Sequence, residues 1–168
     1  GGGILWIEHI RSANPFHCLD CLRSRSFDLT VLLRRRSASS KNNVSKLMYA
    51  ALRDESALDA LKASGAKPGD KFDREVGGFS GEQAGTPVRI TGTVKYFGEG
   101  WGFDHIAVIE FGNQNVLFLV PTYVQIRTTE PLFIANLNPD DYDVFVVKSR
   151  VHFRRGFDET GYAKTIMV

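Results

Sequence analysis

The apolar run at residues 144–147 (VFVV) constrains the fold most strongly. It is uninterrupted and ends at the polar residues Lys148 and Ser149. A short uninterrupted apolar run is typical of a strand that is covered on both faces. Such strands belong to sheets that carry helices on both sides. The sequence therefore predicts a central buried strand here, in an α/β architecture.

Strand and helix patterns alternate in the first half of the chain. The runs Ile4–Ile7 and Lys46–Leu52 are typical of buried strands, and the leucine spacing over residues 19–36 allows a helix between them. Asp54 is placed to cap a second helix, which Gly65 ends. This β-α-β-α order favours a parallel sheet with helical cover.

The middle of the chain has a different pattern, one of short strands separated by turns. Strands are predicted, in order, at Phe72–Val76, Val88–Tyr96, Ile106–Phe111 and Val116–Val120. The polar segment Gly112–Asn115 predicts a hairpin turn between the last two. This section is therefore expected to be antiparallel.

The last third returns to an α/β pattern, with a short helix predicted at Glu130–Leu137, a turn at Asn138–Asp141 and a final strand at Ala163–Val168. The predicted fold class is α/β, with a mixed sheet, helices from the β-α-β-α segments and an antiparallel β-rich middle section. One domain is expected over residues 1–168, a length that suits a single core.

Composition narrows the class of protein. The net charge of +2 gives no bulk argument for binding nucleic acid or membrane, and no run of about 18 apolar residues predicts a transmembrane helix. Two cysteines are too few for a disulfide scaffold, so a reducing, cytoplasmic compartment is expected. The start at Gly1-Gly2-Gly3 is typical of a cut end, which leaves open a fragment of a longer two-domain protein.

A first candidate site follows the predicted strand at 144–147. Lys148, Ser149, His152 and Arg154 lie within a few residues of its end. Ligands of α/β sheets bind at the carboxyl ends of strands, and a serine there can cap a helix whose N-terminus attracts anions. The segment predicts a rim for a carboxylate, a phosphate or a partner domain. A capping serine with solvated basic neighbours explains the same pattern.

Two other patterns near the start of the chain have simpler explanations. Cys18 and Cys21, with His9 and His17 nearby, could ligate zinc, but no second pair with finger spacing follows and incidental cysteines are favoured. The arginine- and serine-rich stretch over residues 23–41 is interrupted by apolar residues, so a solvated helix face is favoured over a nucleic-acid tail.

The segment Thr91–Phe103 (TGTVKYFGEGWGF) resembles the first strands of a cold-shock domain, whose aromatic side chains stack on single-stranded bases. The residues that follow lack the second aromatic and basic strand of such domains. A hairpin whose aromatic side chains pack in a core or cover a partner is the favoured interpretation. A small single-stranded nucleic-acid-binding protein remains an alternative function.

No standard catalytic motif is present: the chain has no G-x-S-x-G, H-E-x-x-H or P-loop sequence. Its four histidines do not share a ligand spacing on a predicted element. Catalytic residues are therefore unknown from the sequence, and no metal-binding set is predicted in this chain.

The late segments carry a family resemblance. The stretches 138–142 (NPDDY), 144–149 (VFVVKS) and 152–154 (HFR), followed by Gly156-Phe157, resemble the C-terminal domain of the MlrC-like, or microcystinase-type, metallopeptidases. Residues 50–65, 76–78 and 85–94, together with the opening at Ile4–Pro15, agree with the family in order. The resemblance spans nearly the whole chain and is strongest over residues 130–157.

The resemblance implies a part in peptide hydrolysis. Members of this family resemble zinc-dependent peptidases, with the metal ligands attributed to an N-terminal domain that the C-terminal domain completes. This chain would then hold no cofactor and not be catalytic alone. Its implied partners are the N-terminal metallopeptidase domain, in cis or in trans, and the peptide substrate of the whole enzyme. The cleft or anion-contacting candidates are Lys148, Ser149, His152, Phe153 and Arg154.

The chain departs from the family at its other end. Ala13 replaces the aspartate that precedes the family's Asn-Pro, and the glycine-rich loop after Asn14-Pro15 is absent. A site formed by that loop is therefore not predicted here. A structural or interaction remnant without activity is the third functional alternative.

Overall fold

The computed structural model describes residues 5–8, 46–78, 86–147, 152–160, 162 and 165–167. Its strands are β1 (Leu5–Glu8), β2 (Leu47–Arg53), β3 (Lys71–Val76), β4 (Val88–Gly100), β5 (Phe103–Phe111), β6 (Asn115–Val120), β7 (Val144–Val147) and β8 (Thr165–Met167). Its helices are α1 (Glu55–Ser64) and α2 (Glu130–Ile134), with a 3-10 turn at Pro139–Asp141 and a π-helical turn at Arg154–Asp158. The predicted helix over residues 19–36, the Cys18–Cys21 pair, His9, His17 and the arginine-rich stretch lie outside the described residues.

All of these strands form one mixed sheet, in the order β3-β4-β5-β6-β2-β7-β1-β8. Strand β2 pairs in parallel with both β6 and β7, and the other neighbouring pairs are antiparallel. The predicted buried strand at 144–147 is confirmed, because Phe145, Val146 and Val147 are all buried in β7. The mixed sheet with its antiparallel β-rich section confirms the predicted fold class.

Two apolar clusters cover the two faces of the sheet. One combines alternate residues of β5 and β6, such as Val108 and Phe118, with buried side chains from the segments around α2 and the π-helical turn. The other combines Ile109 and Leu117 with the apolar face of α1. Alternate residues of a strand point to opposite faces, so the near-continuous apolar sequence of β6 fills both clusters.

Asp54 caps α1 as predicted, and it also joins three strand ends. Its side chain accepts hydrogen bonds from the backbone N–H of Ala57 at 3.0 Å and of Gly77 at 2.9 Å. Its own backbone N–H donates to the carbonyl of Val120 at 3.0 Å. Helix α1 ends at Gly65, whose φ of 64° is the left-handed conformation expected of a glycine cap. One buried carboxylate thus fixes the start of α1 relative to β2, β3 and β6.

The hairpin of β4 and β5 is longer than predicted. Its strands continue to a two-residue turn at Trp101-Gly102, where φ is 53° and 78°. Positive φ at both positions matches the twist of paired strands, but a tryptophan at the first position carries no turn signal in the sequence. Helix α2 is shorter than predicted, because Asn136 adopts a φ of 56° and ends it.

Within the described segments, no helix is long and apolar enough to cross a membrane.

Candidate functional site

The carboxyl ends of three parallel strands lie at one edge of the sheet. Strands β2 and β6 end there at Arg53 and Val120, and β7 ends beside them at Val147. Strand β4 runs in the same direction as β6, because both are antiparallel to β5. The turn at Trp101-Gly102 therefore reaches this edge, which is where ligands of α/β sheets bind.

A groove of about 450 Å3 opens at this edge. We call it the edge groove. It is lined by Trp101, Phe103, Tyr123, Val124, Gln125, Arg127 and His152. Its wall comes from three chain segments: the hairpin turn, the segment that follows β6, and the segment that precedes the π-helical turn.

The imidazole of His152 is held by a side chain from the segment that follows β6. Nδ1 of His152 lies 2.9 Å from Oε1 of Gln125, and both residues are exposed. When Nδ1 carries the proton, it donates to this carboxamide oxygen and leaves Nε2 as an acceptor. The contact with Gln125 joins the imidazole to the segment that follows β6.

The aromatic side of the edge groove is held by ring packing. The rings of Trp101 and Phe103 meet edge to face, with centroids 6.2 Å apart. Trp101 also packs against Phe118 of the core, at 6.3 Å. Aromatic pairs at such distances restrict one another's orientation. This part of the groove is therefore a fixed apolar surface.

Tyr123 continues the aromatic surface toward the end of β2. The guanidinium of Arg53 lies 4.8 Å from the centre of its ring, a cation–π distance. Tyr123 is 57% exposed, which makes it one of the most exposed large apolar side chains of the described residues. A positive charge therefore stands beside the groove without lining it.

Arg127 is positioned through its backbone. A Cβ atom at Gly156, on the π-helical turn, would overlap the carbonyl oxygen of Arg127 and lie 2.7 Å from Cα of Thr128. The two backbones can approach so closely only because position 156 has no side chain. The buried side chain of Ile126 anchors the same segment in the core. Arg127 itself is exposed and lines the groove.

The edge groove has a one-sided charge. Arg127 is the charged side chain that lines it, and none of its lining residues is acidic. A second groove of about 340 Å3 lies on the other side of the hairpin turn and shares Phe103 with the first. Its charged lining residues are Glu55, Asp59, Lys62 and Asp104. The hairpin turn thus separates a basic groove from a mainly acidic one.

The structure places the residues predicted from the sequence in different environments. His152 lines the edge groove, whereas Phe153 is fully buried in the core and contributes packing. Arg154 is exposed, donates to the carboxylate of Asp158 at 2.6 Å and lies over the ring of Phe153 at 5.3 Å. Lys148 and Ser149 lie outside the described residues, so their predicted role stays a prediction.

Sequence reasoning missed most of the groove. Gln125 and Arg127 follow the end of β6 as His152 follows the end of β7, so the rule about strand ends pointed to both segments. The sequence pattern indicates Trp101 and Phe103 only as part of a hairpin that resembles a cold-shock domain. In the structure Tyr96, Trp101 and Phe103 pack partly buried against one core cluster, and Phe97 packs against the other.

The described residues hold no group of three or more histidine, cysteine, aspartate or glutamate side chains that could bind a metal ion.

The bidentate ion pair of Arg89 and Asp73, at 2.8 Å, is exposed on β3 and β4, away from the edge groove. The hydrogen bond from Arg89 makes the largest contribution to lowering the pKa of the Asp73 carboxyl, and the hydrogen bond from Thr91 makes a smaller one. The polar chemistry of the edge groove therefore rests on Arg127, Gln125 and His152.

Comparison with known proteins identifies the chain. The family model described as the MlrC C-terminus matches residues 26–168, a span that includes every lining residue of the edge groove. Curated protein sequences gave no match. The matched span covers most of the chain and contains the segments over residues 130–157 on which the resemblance was strongest. The chain therefore belongs to the MlrC C-terminal domain family.

Proposed function

We propose that this chain is the single-domain C-terminal module of an MlrC-like zinc metallopeptidase, and that its edge groove borders the active-site cleft of an N-terminal metal domain. Membership in a family of C-terminal domains implies an N-terminal partner domain. In this proposal zinc is held by that partner, and the present chain is inactive alone. Its substrate is the peptide that the whole enzyme hydrolyses.

The observation that carries the proposal is the position of His152. It lies at the carboxyl edge of the parallel strands, in a groove whose other side is aromatic, and its Nδ1 lies 2.9 Å from Oε1 of Gln125. A groove with a few placed polar groups on an apolar surface is the usual form of a small-ligand site. An imidazole at this position can form a hydrogen bond with a peptide group or transfer a proton beside the cleft.

Reconstitution tests the proposal directly. Peptidase activity is measured for the chain alone, for the N-terminal metal domain of an MlrC-like protein alone, and for both together. We expect activity above that of the metal domain only in the mixture. His152→Asn in this chain is expected to lower the rate of the mixture by about tenfold or more, the size of a lost positioning or proton-transfer group.

His105→Asn is the matched control. His105 stacks on Phe97 at 5.1 Å and lines the second groove, so its loss should leave the rate of the mixture unchanged. Two outcomes contradict the proposal. One is that the peptidase rate of the metal domain does not change when this chain is added. The other is one stoichiometric zinc in the isolated chain that the His152 substitution removes.

A further inference from the structure

We propose that the edge groove is a subsite for a carboxylate next to an aromatic ring, the chemistry of a peptide's carboxyl-terminal aromatic residue. This inference rests on the proposed function in one respect only, that the ligand of the cleft is a peptide. The ligand class itself follows from the charge and the shape of the groove.

Arg127 supplies the carboxylate contact. Like Arg74 and Arg155, it forms no ion pair among the described residues, but Arg127 is the charged side chain that lines the edge groove. A guanidinium presents a planar fork of N–H donors that fits a carboxylate bidentately. Because Gly156 holds the backbone of Arg127 in place, the side chain starts from a fixed position.

The aromatic contact comes from the hairpin turn. Trp101 and Phe103 are each partly exposed at the groove and are held edge to face, with Phe118 behind Trp101. A flat apolar group can pack on this surface without reorganising it, because the core already fixes the rings. The groove therefore offers an apolar surface and a cation within one small volume.

The neighbouring groove explains why the ligand has one orientation. Phe103 belongs to both grooves, but in the second groove Glu55, Asp59 and Asp104 outnumber the single cation Lys62. A carboxylate placed there meets a net negative charge, and one placed in the edge groove meets Arg127. Repulsion on one side and attraction on the other fix the orientation of a bound anion more firmly than attraction alone.

Binding to the whole chain tests the inference. The probe is N-acetyl-L-phenylalanine, and binding is followed by the NMR shift of the indole N–H of Trp101. The chain has two tryptophans, and Trp6→Phe identifies which signal belongs to Trp101. N-acetyl-L-phenylalaninamide lacks the carboxylate, and N-acetyl-L-alanine lacks the ring. We expect each of these controls to bind about tenfold more weakly than the probe, as for the loss of one charged or apolar contact.

Arg127→Gln is expected to weaken binding of the probe by about tenfold and to leave the amide control unchanged. Arg155→Gln changes the net charge equally on an exposed neighbour outside the groove, and should have no comparable effect. Equal binding of acid and amide by the wild-type chain overturns the inference. Equal effects of the two arginine substitutions overturn it as well.

The test is independent of peptidase activity, because it needs only this chain. Preferred binding of the acid supports the inference even where reconstitution with a metal domain fails. A reconstituted peptidase whose C-terminal domain binds acid and amide equally keeps the proposed function and removes the inference. If Arg127→Gln does not fold, the inference is still tested by comparing how N-acetyl-L-phenylalanine and its amide bind to the unaltered chain.

Discussion

Gly156 and Arg127 are in direct contact through their backbones, although they are remote in sequence. A Cβ atom at Gly156 would overlap the carbonyl oxygen of Arg127. The contact joins the π-helical turn to the segment that follows β6. It therefore couples the stability of the turn to the position of the arginine in the edge groove.

Gly156→Ala is expected to destabilise the protein by about 1–3 kcal/mol, the usual cost of forcing extra atoms into a packed contact. In an open helical turn the same change would be favourable by up to about 1 kcal/mol, so a loss of unfolding free energy indicates the close contact. Denaturant unfolding measures this free energy. Gly98→Ala is the control, because an added carbon there meets nothing closer than the Tyr96 hydroxyl at 3.4 Å. A Gly156→Ala variant as stable as Gly98→Ala would contradict the contact.

Asp54→Ala should cost roughly 2–4 kcal/mol of unfolding free energy, since it removes an N-cap and leaves the buried N–H of Gly77 without its acceptor. Asp54→Asn should cost less, because one carboxamide oxygen can still cap α1. Thermal or denaturant unfolding gives the order. Asp59→Ala, exposed on the same helix, should stay within about 0.5 kcal/mol of the wild-type chain. Equal losses for the alanine and asparagine variants would contradict a contribution from the cap, because asparagine keeps a capping oxygen.

Asn115→Ala tests the buried amide at the start of β6. Its Oδ1 accepts from the backbone N–H of Leu47 at 3.0 Å, and its Nδ2 donates to the carbonyl of Phe111 at 3.3 Å. Losing both partners in a buried site is expected to cost about 1–3 kcal/mol. The exposed neighbour Asn113, in the hairpin turn, provides the control substitution to alanine. A loss below about 0.5 kcal/mol for Asn115→Ala would contradict this buried bridge between Leu47 and Phe111.

Tyr142 makes stability depend on pH in the alkaline range. Burial, with smaller contributions from the charges of Glu110 and Asp141, raises the pKa of its phenol to about 12. An unfolded tyrosine ionises near pH 10. The folded protein keeps the proton longer than the unfolded chain, so this contribution is complete below pH 10 and is lost as the pH rises toward 12. The loss amounts to roughly 2–3 kcal/mol at most.

Two measurements check this expectation. Absorbance titration should show a tyrosine ionising near pH 12, and Tyr142→Phe should remove that step. The same variant should lose less stability than the wild-type chain between pH 10 and 12. A wild-type titration in which every tyrosine ionises together near pH 10 would contradict the burial of this phenol.

The sequence predicted the parts of the fold that depend on local pattern. The buried run at residues 144–147, the helix capped by Asp54 and ended by Gly65, and the hairpin turn after Phe111 are all confirmed, although Asn115 begins β6 rather than ending the turn. Each rests on hydrophobic period or on a residue with a special backbone preference. These signals act within a few residues, so one sequence is enough to recognise them.

The edge groove required information that the sequence does not hold locally. His152 meets Gln125 although the two are 27 positions apart in sequence, and only the parallel pairing of β6, β2 and β7 brings their segments to one edge. The turn at Trp101 was missed because a bulky residue at positive φ gives no local signal. The proposed roles of Lys148 and Ser149 remain predictions, since both residues lie outside the described part of the chain.

The position of β2 has a consequence for how the protein folds. Its two neighbours, β6 and β7, come much later in the chain, so the middle of the sheet is closed by residues synthesised long after β2. Non-local pairing of this kind raises contact order and slows folding. During synthesis, both sides of β2 stay unpaired until β6 and β7 emerge. The longer this takes, the longer the unpaired strand can associate with other nascent chains.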